Sequence, residues 1–392
     1  MKLIKKIALT LLLLVTAAVG YLGLWPVPIQ PLIWTAPADA GYTGVHAPNN
    51  HLAVLQTIPL GTEEGPEHVA MAPDGMLYVS MASGNIIRMD PDGRKQDLFV
   101  DTDGRVLGFD FDADGNLIAA DAINGLLSIS PAGEIRILAA QVQGDKAHSG
   151  QVKNDPIRHA NAVVVAGNGK IYFSDASTRF AAADWGGTLE AGILDIFEQS
   201  STGRVLEYDP ELKATRIVAH GFSFAGGVAL SQDQRTLFVS ETGKYRVWKI
   251  AVTADNLDIA PISASASIPD SASAPASRQA SILFDNLPGF PGSLTRGLDG
   301  RIWLGFVKPR SPEIDAMAAQ PWLRKFTLRL PRALWSVPPA YGHVIGFTEN
   351  GKIVADLQDP TGAYPDTTGI TETPERFYVH SLSAKGLAWL VH

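Results

Sequence analysis

The chain has 392 residues, 46% of them hydrophobic and 18% charged, enough apolar material for two domains or one large all-β domain. A net charge of −8 excludes a broad nucleic-acid footprint. With no cysteine, disulfide frameworks and thiolate metal sites are excluded as well.

Lys2, Lys5 and Lys6 precede an uncharged apolar run of 19 residues, Ile7 to Trp25. At about 1.5 Å of helix rise per residue this nearly matches a bilayer core of about 30 Å. The lysine bias predicts a cytoplasmic N-terminus and places the remainder of the chain on the periplasmic or extracellular side. Two readings stand for residues 1–25, a retained anchor with Tyr21 and Trp25 at the interface, and a signal peptide cut after Thr16-Ala17-Ala18. Residues 26–50 contain five prolines and little periodicity, and read as a stalk.

From residue 51 to 392 one phrase recurs: a strand, a Gly/Asp/Asn turn, an alternating strand and two more strands. It begins with "EHVAMAPDGMLYVSM", "LGFDFDADGNLIAAD", "NAVVVAGNGKIYFSD", "GGVALSQDQRTLFVS", "GSLTRGLDGRIWLGF" and "TGITETPERFYVHS". Period-two alternation between such turns argues for antiparallel strands. Four strands at a spacing of about 40 residues is the pattern of propeller blades. The sixth copy has room for three strands, and "HLAVLQTIPL" (51–60) is placed to supply the fourth. The expected architecture is an all-β, six-bladed β-propeller preceded by an N-terminal transmembrane helix.

Three insertions interrupt the repeats. Residues 177–202 read as a loop with a short helix, and the Ala/Ser-rich 253–281 as a disordered loop. Residues 307–342 mix Trp322, Leu323, Phe326, Leu330 and Trp335 with Arg324, Lys325, Arg329 and Arg332. That mixture suits a lid over the channel, a patch on the membrane, or a helix packed on the propeller face.

The first strand of each blade lines the central channel. Counting eight positions back from the turn glycines gives Glu67, Leu107, Asn161 and Gly292, and matching strand starts adds Gly226 and Thr368. Glu67 and Asn161 offer hard oxygen donors of the kind calcium takes, although calcium needs six to eight, so water would complete the sphere. Each also reads as an ordinary satisfied polar group.

The ordered segments "GPEHVAM", "HANAVVVAGNGKIYFSDAS", "GRVLEYDP", "FAGGVALSQDQRTLFVSET" and "LPGFPGSLTRGLDGRIWLGF" resemble the strictosidine synthase-like branch of the gluconolactonase–paraoxonase superfamily. The resemblance covers roughly residues 50–390 and extends to members with an N-terminal membrane anchor. It implies a hydrolase-like role on small esters or lactones, and makes Glu67 and Asn161 the matches to calcium ligands of the lactonase relatives. Gly226 and Gly292 stand at the places of two further ligands, so any calcium would be weakly bound. Leu107 replaces a channel histidine of the paraoxonases. Thr368 replaces the glutamate of alkaloid-forming members, which excludes alkaloid synthesis because condensing an amine with an aldehyde needs a proton acceptor there.

His159 shares a strand face with Asn161 by simple alternation, and is the candidate general base. His68, beside Glu67, should point away from the channel, and Glu64 of Glu64-Gly65-Pro66 is a reserve acid. The leading reading is an exported, membrane-anchored hydrolase with Glu67, Asn161 and His159 as catalytic candidates. The alternative is a non-catalytic propeller that binds a small molecule or a partner protein.

Overall fold

The computed structural model describes residues 2–143, 155–262 and 279–392. The core of the expected disordered loop, within 253–281, lies outside the described residues.

Six sheets of four antiparallel strands form the six blades, the third extended by a short parallel strand, Leu257–Asp258. The inner strands are His68–Met71, Val106–Phe111, Ala160–Val165, Ala225–Leu230, Gly289–Arg296 and Thr367–Glu372. The sixth blade pairs Leu387–Val391 with Gln56–Ile58, so the predicted first strand closes the ring and leaves blade 6 without a missing edge.

The turn between the first two strands falls where the sequence places it. Gly75 there has φ 82°, a left-handed conformation open to glycine at little cost. Strand residues of alternate parity then face neighbouring blades, and the core lies between blades rather than within one. Val69, Leu77 and Ile58 pack with Tyr378 and Leu387 between blades 1 and 6. Phe238, Leu294, Leu304 and Phe347 do the same between blades 4 and 5. Removing such apolar surface from water stabilises the ring by about 25 cal/mol per Å².

Helix α1, Lys2–Leu24, is long and apolar enough to cross a membrane. Its side chains pack on nothing in the propeller core, since none is buried. Among the described residues the insertions supply three more helices: α2 (Thr188–Glu198), α3 (Pro312–Ala318) and α4 (Pro321–Arg329). Ser311 caps α3 by accepting from the Ile314 N–H, and Pro312 and Pro321 occupy first-turn positions where no N–H is needed.

In blades 3 and 5 these helices follow the second strand, which returns to the face where the inner strands begin. They therefore stand on the same face as the rim of the channel. Residues 307–342 form helices that pack on the blade 3 insertion and the stalk. The Arg324 guanidinium is buried and donates to the carbonyls of Phe197, Ala318 and Leu32, while Trp322 is 65% exposed.

The stalk is tied down rather than free. The Gln30 N–H donates to Glu198 Oε2 at 2.7 Å, and the Leu32 N–H to the Glu198 carbonyl at 2.8 Å. Trp34 donates to Ala318, and Arg310 reaches the Pro37 carbonyl at 2.6 Å. Proline-rich composition removed helix and strand from this segment, and its remaining backbone donors found partners on the inserted helices.

Candidate functional site at the channel rim

The predicted ring positions share one local conformation. In blades 2 to 6 each lies where the first strand slips register against the second: Leu107 between Val106 and Gly108, Asn161 between Ala160 and Val163, Gly226 between Ala225 and Val228, Gly292 between Pro291 and Leu294, and Thr368 between Thr367 and Gly369. These are β-bulges, which gather at the rims of closed sheets and re-aim side chains. Glu67 stands immediately before the inner strand of blade 1, its N–H donating to the Ser80 carbonyl at 3.0 Å.

Serines that sequence reasoning passed over hold these bulges. Ser174 Oγ accepts from the Ala162 N–H and donates to the Gly226 carbonyl of the next blade, both at 3.0 Å. Ser240 Oγ likewise accepts from Gly227 and donates to the Gly292 carbonyl, both at 2.6 Å. The signal was present in the recurring "YVS", "YFS" and "FVS" in the second strands of blades 1, 3 and 4.

Glu67 is buried and ion-paired with Arg105, which also donates to the Met81 carbonyl. Burial pushes the Glu67 carboxyl up from its ordinary range, and the guanidinium pulls it back down. Arg105 itself is positioned from behind, because its N–H and those of Ile123 and Asn124 all donate to Asp121 Oδ1. Thr368 Oγ1 donates to the Glu67 carbonyl at 3.1 Å and closes the ring between blades 6 and 1. Asn161 is half-buried at the same rim, and Leu107 packs with Ala122 and with Ala182 of the blade 3 insertion.

Two expectations are corrected. His159 does not face an open channel: the bulge at Asn161 breaks simple alternation, and the ring is fully buried, edge-on to Phe224 at 5.2 Å. Burial lowers its pKa to about 4, and neither ring nitrogen has a hydrogen-bond partner, so a general-base role has no geometric support. Gly226 and Gly292 have ordinary φ, but they are not vacancies waiting for a side chain. A Cβ on Gly292 would lie 2.8 Å from the Thr368 carbonyl oxygen, and one on Gly226 would lie 2.8 Å from Thr242 Oγ1. The reserve residues lie off the centre. Glu64 is exposed, and His68 sits between Phe109 and His380 with its pKa lowered by burial to about 4.

This donor set does not suit calcium. Among the ring positions the one carboxylate is committed to Arg105, and Asn161 remains as a single neutral side-chain oxygen.

The fold and rim define a six-bladed propeller whose polar centre is a carboxylate–guanidinium pair. A family model of strictosidine synthase-like N-terminal regions matches residues 44–89, and one of strictosidine synthase matches residues 161–255. The strictosidine synthase-like 13 protein of Arabidopsis thaliana is 31% identical over 253 residues, covering 63% of this chain and 53% of that protein. The chain thus spans about half the length of that relative. The adipocyte plasma membrane-associated protein of Danio rerio is 27% identical over 356 residues, covering 86% of this chain and 77% of the other. Among solved structures, a gluconolactonase of Xanthomonas campestris superposes with a TM-score of 0.57 at 16% identity, over 93% of this chain and 98% of that one. The last likeness is one of fold. Over these stretches the chain is similar to strictosidine synthase-like and adipocyte plasma membrane-associated proteins.

Proposed function

We propose that this propeller is an exported, membrane-anchored hydrolase of small esters or lactones, working at the rim where Glu67 meets Arg105. The observation that carries the reading is that pair: a buried carboxylate held against a fixed cation beside the half-buried Asn161. A guanidinium can donate to a carbonyl oxygen and stabilise the negative charge that develops there. Glu67 would take a proton from the attacking water, the C–O bond of the ester would break, and the leaving oxygen would recover that proton. Arg105 then stands in this chain where the resemblance implied a metal, and no step runs through calcium. Thr368 supplies no proton acceptor, which supports the exclusion of alkaloid synthesis.

The second reading is a propeller that binds without catalysis. It is favoured by the burial of His159 and by the close backbone approach at Gly292. A panel of aryl esters, aliphatic lactones and aldonolactones assayed on the detergent-solubilised chain separates the two. Turnover that Glu67→Gln removes supports the hydrolase; saturable binding of panel members with no turnover supports the binding protein.

A further inference from the structure

Away from the channel rim, the stalk and blade 5 build a second polar centre. The 3₁₀ turn Gly44–His46 presses His46 against the outer half of the blade, where His343 and Asp356 stand on adjacent strands. His343 pairs with Gln358 and Ile345 with Asp356, so His343 and Asp356 are diagonal neighbours on one face of the sheet. His46 Nδ1 lies 2.7 Å from Asp356 Oδ2, and His343 Nε2 lies 3.2 Å from the same oxygen. The three donor atoms are all within 4.8 Å of one another, the one such His/Cys/Asp/Glu trio among the described residues.

We propose that His46, His343 and Asp356 bind a divalent transition-metal ion, zinc by preference, that pins the stalk to blade 5. Two imidazole nitrogens and one carboxylate oxygen are the ligand types zinc takes in tetrahedral sites, whereas calcium seeks an all-oxygen shell. The surroundings have the character of a supporting shell. Asn49 Nδ2 donates to the Asp356 carbonyl at 3.1 Å and to Oδ1 at 3.4 Å, and Gln358 Nε2 donates to Oδ1. Tyr341 fixes Gln358 in turn by donating to its Oε1 at 2.6 Å. Held this way, the carboxylate presents Oδ2 toward the two imidazoles. The His343 ring is set by packing, stacked on Phe306 at 4.4 Å.

An independent observation points to a missing ligand. The Tyr42 ring lies 5.3 Å from that of His343, and its hydroxyl is buried with no hydrogen-bond partner. A buried hydroxyl normally has one. A fourth metal position supplies it, through Tyr42 oxygen directly or through a metal-bound water. Without metal the two imidazoles donate their N–H groups to Asp356; binding replaces those protons with the ion and shifts each ring to its other tautomer. The contact is strategic because residues 42–49 join the membrane-spanning helix to the propeller.

The full-length chain in detergent, stripped by a chelator and then given zinc, should retain stoichiometric zinc after dialysis. With cobalt instead, it should show the visible bands of a four-coordinate N/O centre. Zinc should also slow proteolysis within residues 39–50. His46→Ala, on the surface turn, should weaken zinc by at least about tenfold and abolish that protection, while His220→Ala, on blade 3, should change neither. Asp356→Asn should match His46→Ala; if it does not fold, His46→Ala decides alone. Failure of the wild type to retain zinc, or equal retention by His46→Ala, would overturn the assignment.

Discussion

Arg105 of blade 2 lays its guanidinium on the carboxylate of Glu67 in blade 1, both side chains almost wholly out of solvent. The pair crosses the junction between blades at the rim, so it is structural as well as chemical. Breaking a buried ion pair by removing one partner costs about 3–5 kcal/mol, since a charge is left alone in a poor solvent. Arg105→Met should therefore lower unfolding stability by about that amount in urea titrations. Adding Glu67→Gln to it should recover part of the loss, because no charge then remains stranded. A double variant as unstable as the sum of the singles would show the two groups to be uncoupled.

Turnover provides the second test. On any ester or lactone the wild type cleaves, Glu67→Gln and Asn161→Ala should each slow the reaction at least tenfold, about 1.4 kcal/mol of barrier, with the fold retained. His159→Gln should leave kcat nearly unchanged, since its ring faces Phe224 rather than the rim. A large loss confined to His159→Gln would return the catalytic base to that histidine.

Restoring side chains at the glycine positions should not create a calcium site. Gly292→Asp must place its Cβ against the Thr368 backbone, and Gly226→Asn against Thr242 and Ser240, in a rim that cannot shift one blade without its neighbour. Overpacking of this kind typically costs about 1–3 kcal/mol. The expected outcome by calorimetry is a lower melting temperature for the double variant, with no calcium heat in either protein. Calcium-dependent stabilisation of the variant would show that the rim opens enough to receive both donors.

The propeller was readable because its determinants are local: turn glycines such as Gly75, alternating strands, and a spare strand at 56–58 for the last blade. Depth in the channel was readable too, since counting from the turn landed on the bulge in blades 2, 3 and 5, and matching strand starts landed on it in blades 4 and 6. Side-chain direction was not. A bulge adds one residue and reverses parity, so the alternation that aimed His159 at the channel failed at Asn161. Arg105 was invisible because its contact with Glu67 spans 38 residues and two blades. The stalk's contacts were not readable because composition reports the absence of secondary structure, not the partners its backbone meets.

Orientation follows from the lysines before α1. Residues 41–392 should lie outside the cytoplasm, so protease added to intact bacterial spheroplasts expressing the chain should cleave the propeller region. Digestion seen only after lysis would place the propeller on the opposite side.

Asp195 gives the pH dependence a definite sign. It lies in α2 with both carboxylate oxygens buried and without hydrogen-bond partners, and burial pushes its pKa from 3.8 up to about 7. Between those values the unfolded chain has lost this proton and the folded chain keeps it. Its contribution to stability is therefore present at low pH and is lost as pH rises toward 7. His68 and His159 act oppositely: both are held neutral with pKa lowered from 6.5 to about 4, so their contribution is lost as pH falls through that window. Asp195→Asn removes only the first effect. The variant should melt above the wild type at about pH 8, where the buried carboxylate must ionise, and the difference should shrink to nothing near pH 4. Melting curves of both proteins across that range check the sign; a constant difference would mean that the Asp195 carboxyl is not held protonated by its burial.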